Sequence, residues 1–419
     1  MTGTGSPAAP PRTPAGSPRT VLVSGEGGSG RTTVAAATAL LAAGEGRRTL
    51  LLAAADPHRT LDRLLGTELG TAPAELRPGL FAARLDEQTA FRDAADRLLG
   101  RAKTLFDLLG VEPLDREELS ALPGAAHLAL LDALRTHAAD ARWDAVVIDA
   151  PPVAELVAAL ALPEQLDRYL ARLLPEQRQA ARALRPVLAA FAGVPMPADW
   201  LFEARAWAEA ELAEVRALVD APATTVRLVA DAPTGPLAPA ALAAARAGLA
   251  LHGRPVESVL VDRLLPAGGE AAGEGFLGRL HDAQQQQLAA LRAEWDVPVH
   301  GLAHLGREPQ GWADLAELVE AHAPALALGP GGGLPAEWPV EDLLRTPEQV
   351  LVWRIPLHGA TRRDLDLVRR GDELVLGVGP YRRTLTLPSA LRRCTVAGAA
   401  LREGVLAVRF APDPGLWPR

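Results

Sequence analysis

The sequence predicts an α/β chain: a mostly parallel, doubly wound sheet of the P-loop type with helical insertions, followed by a small C-terminal all-β sandwich. Three observations carry this. A short apolar run, Val21–Val23, leads into a Gly-rich turn and then an Ala/Leu-rich helix, Thr33–Ala43. Further short apolar runs alternate with helical patterns as far as Ala321, each bounded by turn residues. After a break rich in Gly and Pro, from Gly329 to Pro339, the pattern becomes short alternating strands.

The first turn reads Gly25-Glu26-Gly27-Gly28-Ser29-Gly30-Arg31-Thr32, with Thr33 opening the helix. This is the phosphate-loop spacing G-x-x-x-x-G-K-[ST], with Arg31 where the lysine belongs. Glycines let successive backbone N–H groups converge on an anion, and the following helix aims its positive end at the same point. Thr32 offers a hydroxyl to a magnesium ion. The plainer alternative is a Gly-rich βα turn with no ligand. Gly44-Glu45-Gly46 then stops the helix. Thr49–Ala53 reads as a second buried strand and leads into Asp56-Pro57-His58-Arg59-Thr60-Leu61. An Asp at the C-terminal end of a parallel strand lies where ligands bind in such sheets, so Asp56 is a candidate to orient an attacking water. The same Asp-Pro pair is a good helix start.

Residues 60–142 read as mostly helical, with Leu61, Leu64, Leu65, Phe91, Leu98, Leu99, Leu105, Leu108 and Leu109 forming core stripes at helical spacing. Trp143–Asp149 is an apolar run closed by an acid, which places Asp149 at a strand end facing the magnesium shell, or else capping a turn. Ala150-Pro151-Pro152 makes a stiff turn. Residues 154–220 return to helix, with breaks at Pro163, Pro175, Pro186, Pro195 and Pro197. Strands at Thr225–Ala230, Ser258–Val261 and Pro298–Leu302, with helices at Ala238–Leu251 and Trp312–Ala321, complete the first domain, residues 18–328. A linker over residues 329–348 leads to six short strands: Val350–Ile355, Asp364–Val368, Glu373–Val378, Tyr381–Leu387, Thr395–Ala400 and Val405–Phe410. They make a sandwich over residues 349–411, followed by a tail at 412–419.

A chain of 419 residues has room for two or more domains. Its net charge of −8 supplies no basic field for nucleic acid. No uninterrupted apolar run reaches the roughly 18 residues of a membrane span. Residues 1–17 lack a signal-peptide core and read as a disordered tail, so the expected location is cytoplasmic. The single cysteine, Cys394, excludes an internal disulfide framework and a cysteine-cluster metal site.

Taken in order, these landmarks resemble the arsenite-transporting ATPase (ArsA) family, which includes the tail-anchored-protein targeting ATPases. The family's loop GKGGVGKTT stands here as Gly25–Thr33, GEGGSGRTT; its first switch resembles Asp56–Leu61, and its second resembles Asp149-Ala150-Pro151-Pro152. The run Ala161-Leu162-Pro163-Glu164 looks like the family's following helix, and its V-N-R-x-L-P motif appears as Val261-Asp262-Arg263-Leu264-Leu265-Pro266. The C-terminal GDELVLGVG and YRRTLTLP stretches resemble the small-heat-shock-protein-like (α-crystallin-type) domain fused to some members.

The resemblance implies ATP and magnesium as cofactors, with Gly25–Thr33 on the phosphates, Thr32 and Asp149 on the metal, Asp56 and Arg31 in catalysis, and position 262 at the adenine. It also implies a nucleotide-dependent dimer. Four departures bear on this, one of them Pro152 where the family's second switch has a threonine. Glu26 replaces the lysine that crosses the family's dimer interface, and a carboxylate near a polyphosphate repels it. Arg31 is bulkier and forked where the loop lysine stands. Asp262 replaces the adenine-reading Asn and, ionised, accepts but does not donate. The expectation is therefore nucleotide binding with weak or absent turnover. One cysteine supplies neither an arsenite site nor a zinc-bridged dimer. Two alternatives accompany it: a degenerate regulatory subunit paired with an intact paralogue, and a chaperone or scaffold acting through the β domain.

Overall fold

The structure is a computed structural model that describes residues 17–54, 56, 58–109, 112, 114–173, 198–233, 235, 237–266, 275–331 and 338–416. Pro57, Pro175, Pro186, Pro195, Pro197, most of the N-terminal tail and the middle of the linker lie outside the described residues.

The first domain runs β1 (Arg19–Gly25), α1 (Arg31–Gly44), β2 (Thr49–Ala53), α2 (Thr60–Leu65), β3 (Ala74–Arg77), β4 (Leu80–Arg84), α3 (Glu87–Leu109), α4 (Ala125–His137), β5 (Ala145–Asp149) and α5 (Val153–Leu173). It continues with α6 (Ala198–Val219), β6 (Thr224–Asp231), α7 (Leu237–Leu251), β7 (Val256–Leu264), α8 (Phe276–Glu294), β8 (Val299–Ala303) and α9 (Gly311–Leu326). The strands form one sheet in the order β3-β4-β2-β5-β1-β6-β7-β8. All neighbours are parallel except β3, which is antiparallel to β4 at the edge.

Strand β1 is buried along its whole length because helices cover both faces, so its sequence reads as a continuous apolar run rather than an alternation. Its side chains still alternate between layers. Leu22 joins the core with α4, α5, α7 and α8, while Val21 and Val23 join the core with α1, α2 and α9. At the foot of the sheet, Arg227 is 2% exposed. Its guanidinium donates to Glu257 at 2.8 Å, to Thr38 at 2.9 Å and to the Leu326 and Ala327 carbonyls at 2.8 Å. Arg19 pairs with the same glutamate, so a charge on each side of β6 is satisfied inside the domain.

Three features depart from the sequence expectation. Pro163, expected to break a helix, lies inside α5, which continues to Leu173. The span 60–142 is not wholly helical, because β3 and β4 lie within it. They have four and five residues, and β4, LFAAR, is too short and Ala-rich to stand out against helical spacing. The expected linker also contains β9 (Val340–Leu343), whose two central acids hide any apolar alternation.

The C-terminal domain continues with β10 (Val350–Pro356), β11 (Leu365–Arg370), β12 (Glu373–Val378), β13 (Tyr381–Thr386), a short α10 (Ser389–Arg392), β14 (Cys394–Arg402) and β15 (Val405–Pro412). Two antiparallel sheets, β14-β15-β10-β9 and β11-β12-β13, enclose Leu351, Trp353, Ile355, Leu374, Leu376, Val408 and Phe410. Ala247 and Leu251 of α7 belong to this same core, so the sandwich is seated on the first domain. The Tyr381 ring lies over Gly248, where a Cβ would come within 2.6 Å of it; only glycine fits. Arg383 donates to the Leu251 carbonyl at 2.9 Å and to Glu164 of α5 at 3.1 Å.

Candidate functional site

The β1–α1 connection folds as a phosphate loop for local reasons. Gly28 and Gly30 have φ of 79° and 88°, in the left-handed region that favours glycine. A Cβ on Gly25 would lie 2.0 Å from the Val229 carbonyl oxygen, and one on Gly30 would lie 2.0 Å from Asp262 Oδ2. Gly30 is the N-cap of α1; no side chain caps that end and no acid sits in its first turn. The positive end of the helix is left for an external anion.

The loop opens on a cleft of about 840 Å³ at the C-terminal ends of the central strands. Of the sequence-predicted site residues, Gly27, Gly28, Gly30, Arg31, Thr32, Thr33, Asp56, Asp149 and Asp262 line it. Gly25, Glu26 and Ser29 do not; they border a smaller, mostly apolar cavity of about 90 Å³ between the loop and α7. Glu26 is exposed, and the buried Ser29 hydroxyl has no hydrogen-bond partner.

The Thr32 hydroxyl donates to Asp149 Oδ2 at 2.8 Å. Enclosure pushes the Asp149 carboxyl up to about 6; the Thr32 hydrogen bond and the Arg31 charge pull the other way, and the nearby Asp56 charge adds to the rise. Arg31 does not point freely into the cleft: Nη1 donates to the Ala150 carbonyl at 2.6 Å, tying the loop to the turn after β5. Asp56 accepts the backbone N–H groups of His58 and Thr60, each at 2.8 Å, and so starts α2. Burial raises the Asp56 carboxyl, but the hydrogen bonds from Thr60 and His58 outweigh it and hold the group below its ordinary value.

Asp262, near the end of β7, is buried against Gly30, and burial raises its carboxyl. Its neighbour Arg263 takes a left-handed φ of 61°, donates to the Gly28 carbonyl and pairs with Asp231 at 2.9 Å. That brace on the loop has no separate signal in the sequence beyond its place in the V-D-R run. His304 and Arg307, on the β8–α9 loop, also face the cleft. Arg307 is held by Asp314, at 2.8 Å, and by Glu317, and their hydrogen bonds raise its pKa. They follow a weak strand with no motif, which is why sequence reasoning passes over them.

A hydroxyl and a carboxylate paired across the loop, with a second carboxylate nearby, fit a magnesium ion that keeps waters and phosphate oxygens as its other ligands. Among the described residues, no group of three or more His, Cys, Asp or Glu forms an all-protein metal cage. No helix among them is long and apolar enough to cross a membrane.

A glycine loop between a central strand and a helix, with an acid ending the neighbouring strand of the sheet, defines the P-loop class of α/β proteins. Comparison with known proteins narrows the class. The profile of the anion-transporting ATPase family, ArsA ATPase, matches residues 18–322, and that of the HSP20-like domain found in ArsA matches residues 348–410. The chain belongs to this ArsA/GET3 ATPase family, in the form that carries a C-terminal HSP20-like domain. It is 50% identical to the uncharacterized protein SCO2128 of Streptomyces coelicolor over 96% of this chain and 99% of that one. It is 31% identical to protein Rv2184c of Mycobacterium tuberculosis over 96% of this chain and 97% of that one. It is 27% identical to a putative arsenical pump-driving ATPase of Chlorobaculum tepidum over 94% and 96%.

Proposed function

We propose that the chain binds ATP with magnesium and acts as a dimeric, nucleotide-dependent switch whose hydrolysis is weak. The observation that carries this is the commitment of the loop cation elsewhere: Arg31 is bonded to the Ala150 carbonyl, and the position before Gly27 holds an exposed acid, Glu26. Phosphoryl transfer depends on positioning and charge stabilisation, and both are reduced here. Bound magnesium would supply the remaining neutralisation of phosphate charge.

The chain's own groups would then divide the work. The α1 terminus and the Gly27–Gly30 backbone receive the phosphates, Thr32 and Asp149 hold the metal, and Asp56 orients water. Asp262 sits at the base position and, as an acceptor, suits an exocyclic amine. A bound phosphate would compete with the Ala150 carbonyl for Arg31, and that competition would strain the turn ahead of α5. Helix α5 carries Glu164, the partner of Arg383, so its movement would be felt in the β domain. A cytoplasmic location agrees with this role.

The test is magnesium-dependent turnover by the purified chain and by the Glu26→Lys, Arg31→Lys and doubly substituted variants. Low wild-type turnover that rises at least tenfold in the double variant is expected. No turnover in any variant rejects the switch. The exposure of Glu26 also favours a second reading, in which an intact paralogue supplies the missing lysine across a heterodimer. Its test is co-purification with a paralogue bearing GKGGVGKT; a stable homodimer that ignores such a partner counts against it.

A further inference from the structure

Adjacent residues of a strand point to opposite faces of its sheet. Near the end of β7 that rule is broken. Asp262 lies against Gly30 and Arg263 donates to the Gly28 carbonyl, so two consecutive side chains reach the same loop. The break has a local cause. Between Val261 and Leu264, β7 advances three residues while β8 advances two, from Gly301 to Ala303, so Arg263 stands in a bulge. Bulges of this kind re-aim a side chain. Arg263 takes its left-handed φ of 61° inside the strand, where a side chain strains the backbone. Asp231, the register partner of Asp262 at the end of β6, pairs with the same guanidinium at 2.9 Å. Among the described residues, Arg263 Nε is buried with no hydrogen-bond partner. A strained backbone and an unpaired donor are both unfavourable, and they occur in a side chain that faces the cleft rather than the core.

We propose that Arg263 is a positioning residue of the phosphate loop: by holding the Gly28 carbonyl, it keeps the glycine loop in its anion-receiving shape before any ligand arrives. This rests on the reading of the loop as a nucleotide site. A carbonyl and the N–H that follows it belong to one planar unit, so fixing one fixes the other. The Ser29 N–H closes a turn on the Glu26 carbonyl at 3.3 Å, so both ends of the Gly28–Ser29 peptide are held. Gly27, Gly28 and Gly30 surround it, and glycine has more backbone freedom to lose on ordering than any other residue. A loop ordered beforehand loses less of that freedom when a polyphosphate binds, and its affinity is higher for that reason. Arg263 acts through Gly28, not on the ligand. Asp231 steadies the guanidinium, and the bulge in β7 aims it.

The test uses the full chain with magnesium and inorganic pyrophosphate as the probe, and compares wild type with Arg263→Gly, Arg263→Ala and Arg263→Lys. Glycine accepts a left-handed φ without strain, so Arg263→Gly should unfold later than Arg263→Ala. Both should nevertheless bind pyrophosphate at least tenfold more weakly than wild type, and equally within threefold. Arg263→Lys keeps a donor for the Gly28 carbonyl and should bind within threefold of wild type. In the ligand-free chain, amide exchange at Ser29 and Gly30 should quicken at least tenfold in Arg263→Gly. A residue that only holds the fold together would move stability and affinity together, so affinity that follows the unfolding midpoint across the variants overturns the proposal. Weakened binding with unchanged ligand-free exchange also overturns it, and marks direct contact between Arg263 and the anion. Wild-type binding that survives in Arg263→Gly refutes the positioning role and leaves the nucleotide site standing. A wild type that binds neither pyrophosphate nor ATP refutes both.

Discussion

Replacing His252 with glutamine should flatten the acid limb of the stability profile. His252 follows α7 where the β domain docks and is 4% exposed. Burial, with the charges of Arg383 and Arg254 beside it, pushes its pKa from 6.5 down to about 3. Its Nδ1 is buried without a hydrogen-bond partner. The sign follows from linkage. Below pH 6.5 the unfolded chain takes up a proton that the folded chain refuses until about pH 3, so stability falls as pH drops through that window. Each pH unit costs about 1.4 kcal/mol, which makes about 2 kcal/mol by pH 5 and about 5 kcal/mol across the window. The assay is denaturant unfolding of wild type and His252→Gln from pH 8 to pH 4, read as the difference between the two, which cancels the shared carboxylate titrations. Parallel profiles would refute the assignment, because they would mean that the folded and unfolded chains protonate His252 alike.

Other perturbations are sharper and structural. Gly248→Ala puts a methyl into the Tyr381 ring and should cost about 1–3 kcal/mol, seen as earlier unfolding of the β domain; an unchanged midpoint would contradict the docking geometry. Arg227→Met strands Thr38, the Leu326 and Ala327 carbonyls and half the pairing of Glu257, at about 3–5 kcal/mol by chemical denaturation. Adding Glu257→Gln should recover part of that loss, and full additivity would argue against a coupled pair. Thr32→Val keeps the volume but removes the donor to Asp149, so it should abolish the magnesium dependence of nucleotide binding while leaving the fold intact.

Much of the fold was legible because its signals are local and physical. Buried parallel strands show as apolar runs, so β1, β2, β5 and β6 stand out, and Gly25–Thr33 shows its loop through glycines that a Cβ would obstruct at positions 25 and 30. The sandwich strands from β10 to β15 show by alternation. What stayed hidden is short or non-local. β4 has five residues among helical patterns, and β9 lies in Pro- and Gly-rich surroundings with acids at its centre. At the site, Thr32 and Asp149 come from two separated motifs and meet as the spacing implies. Arg31 reaching Ala150, Arg263 bracing Gly28, and His304 and Arg307 entering from the last βα loop depend on tertiary approach, which no spacing encodes.

The most direct measurement is a calorimetric titration of the full chain with ATP, with and without magnesium, repeated on Asp149→Asn. The expected result is saturable binding that magnesium strengthens in the wild type and fails to strengthen in the variant. Absence of ATP binding under both conditions, or magnesium enhancement that survives loss of the Asp149 charge, would contradict a metal-assisted nucleotide site at the Gly25–Thr33 loop.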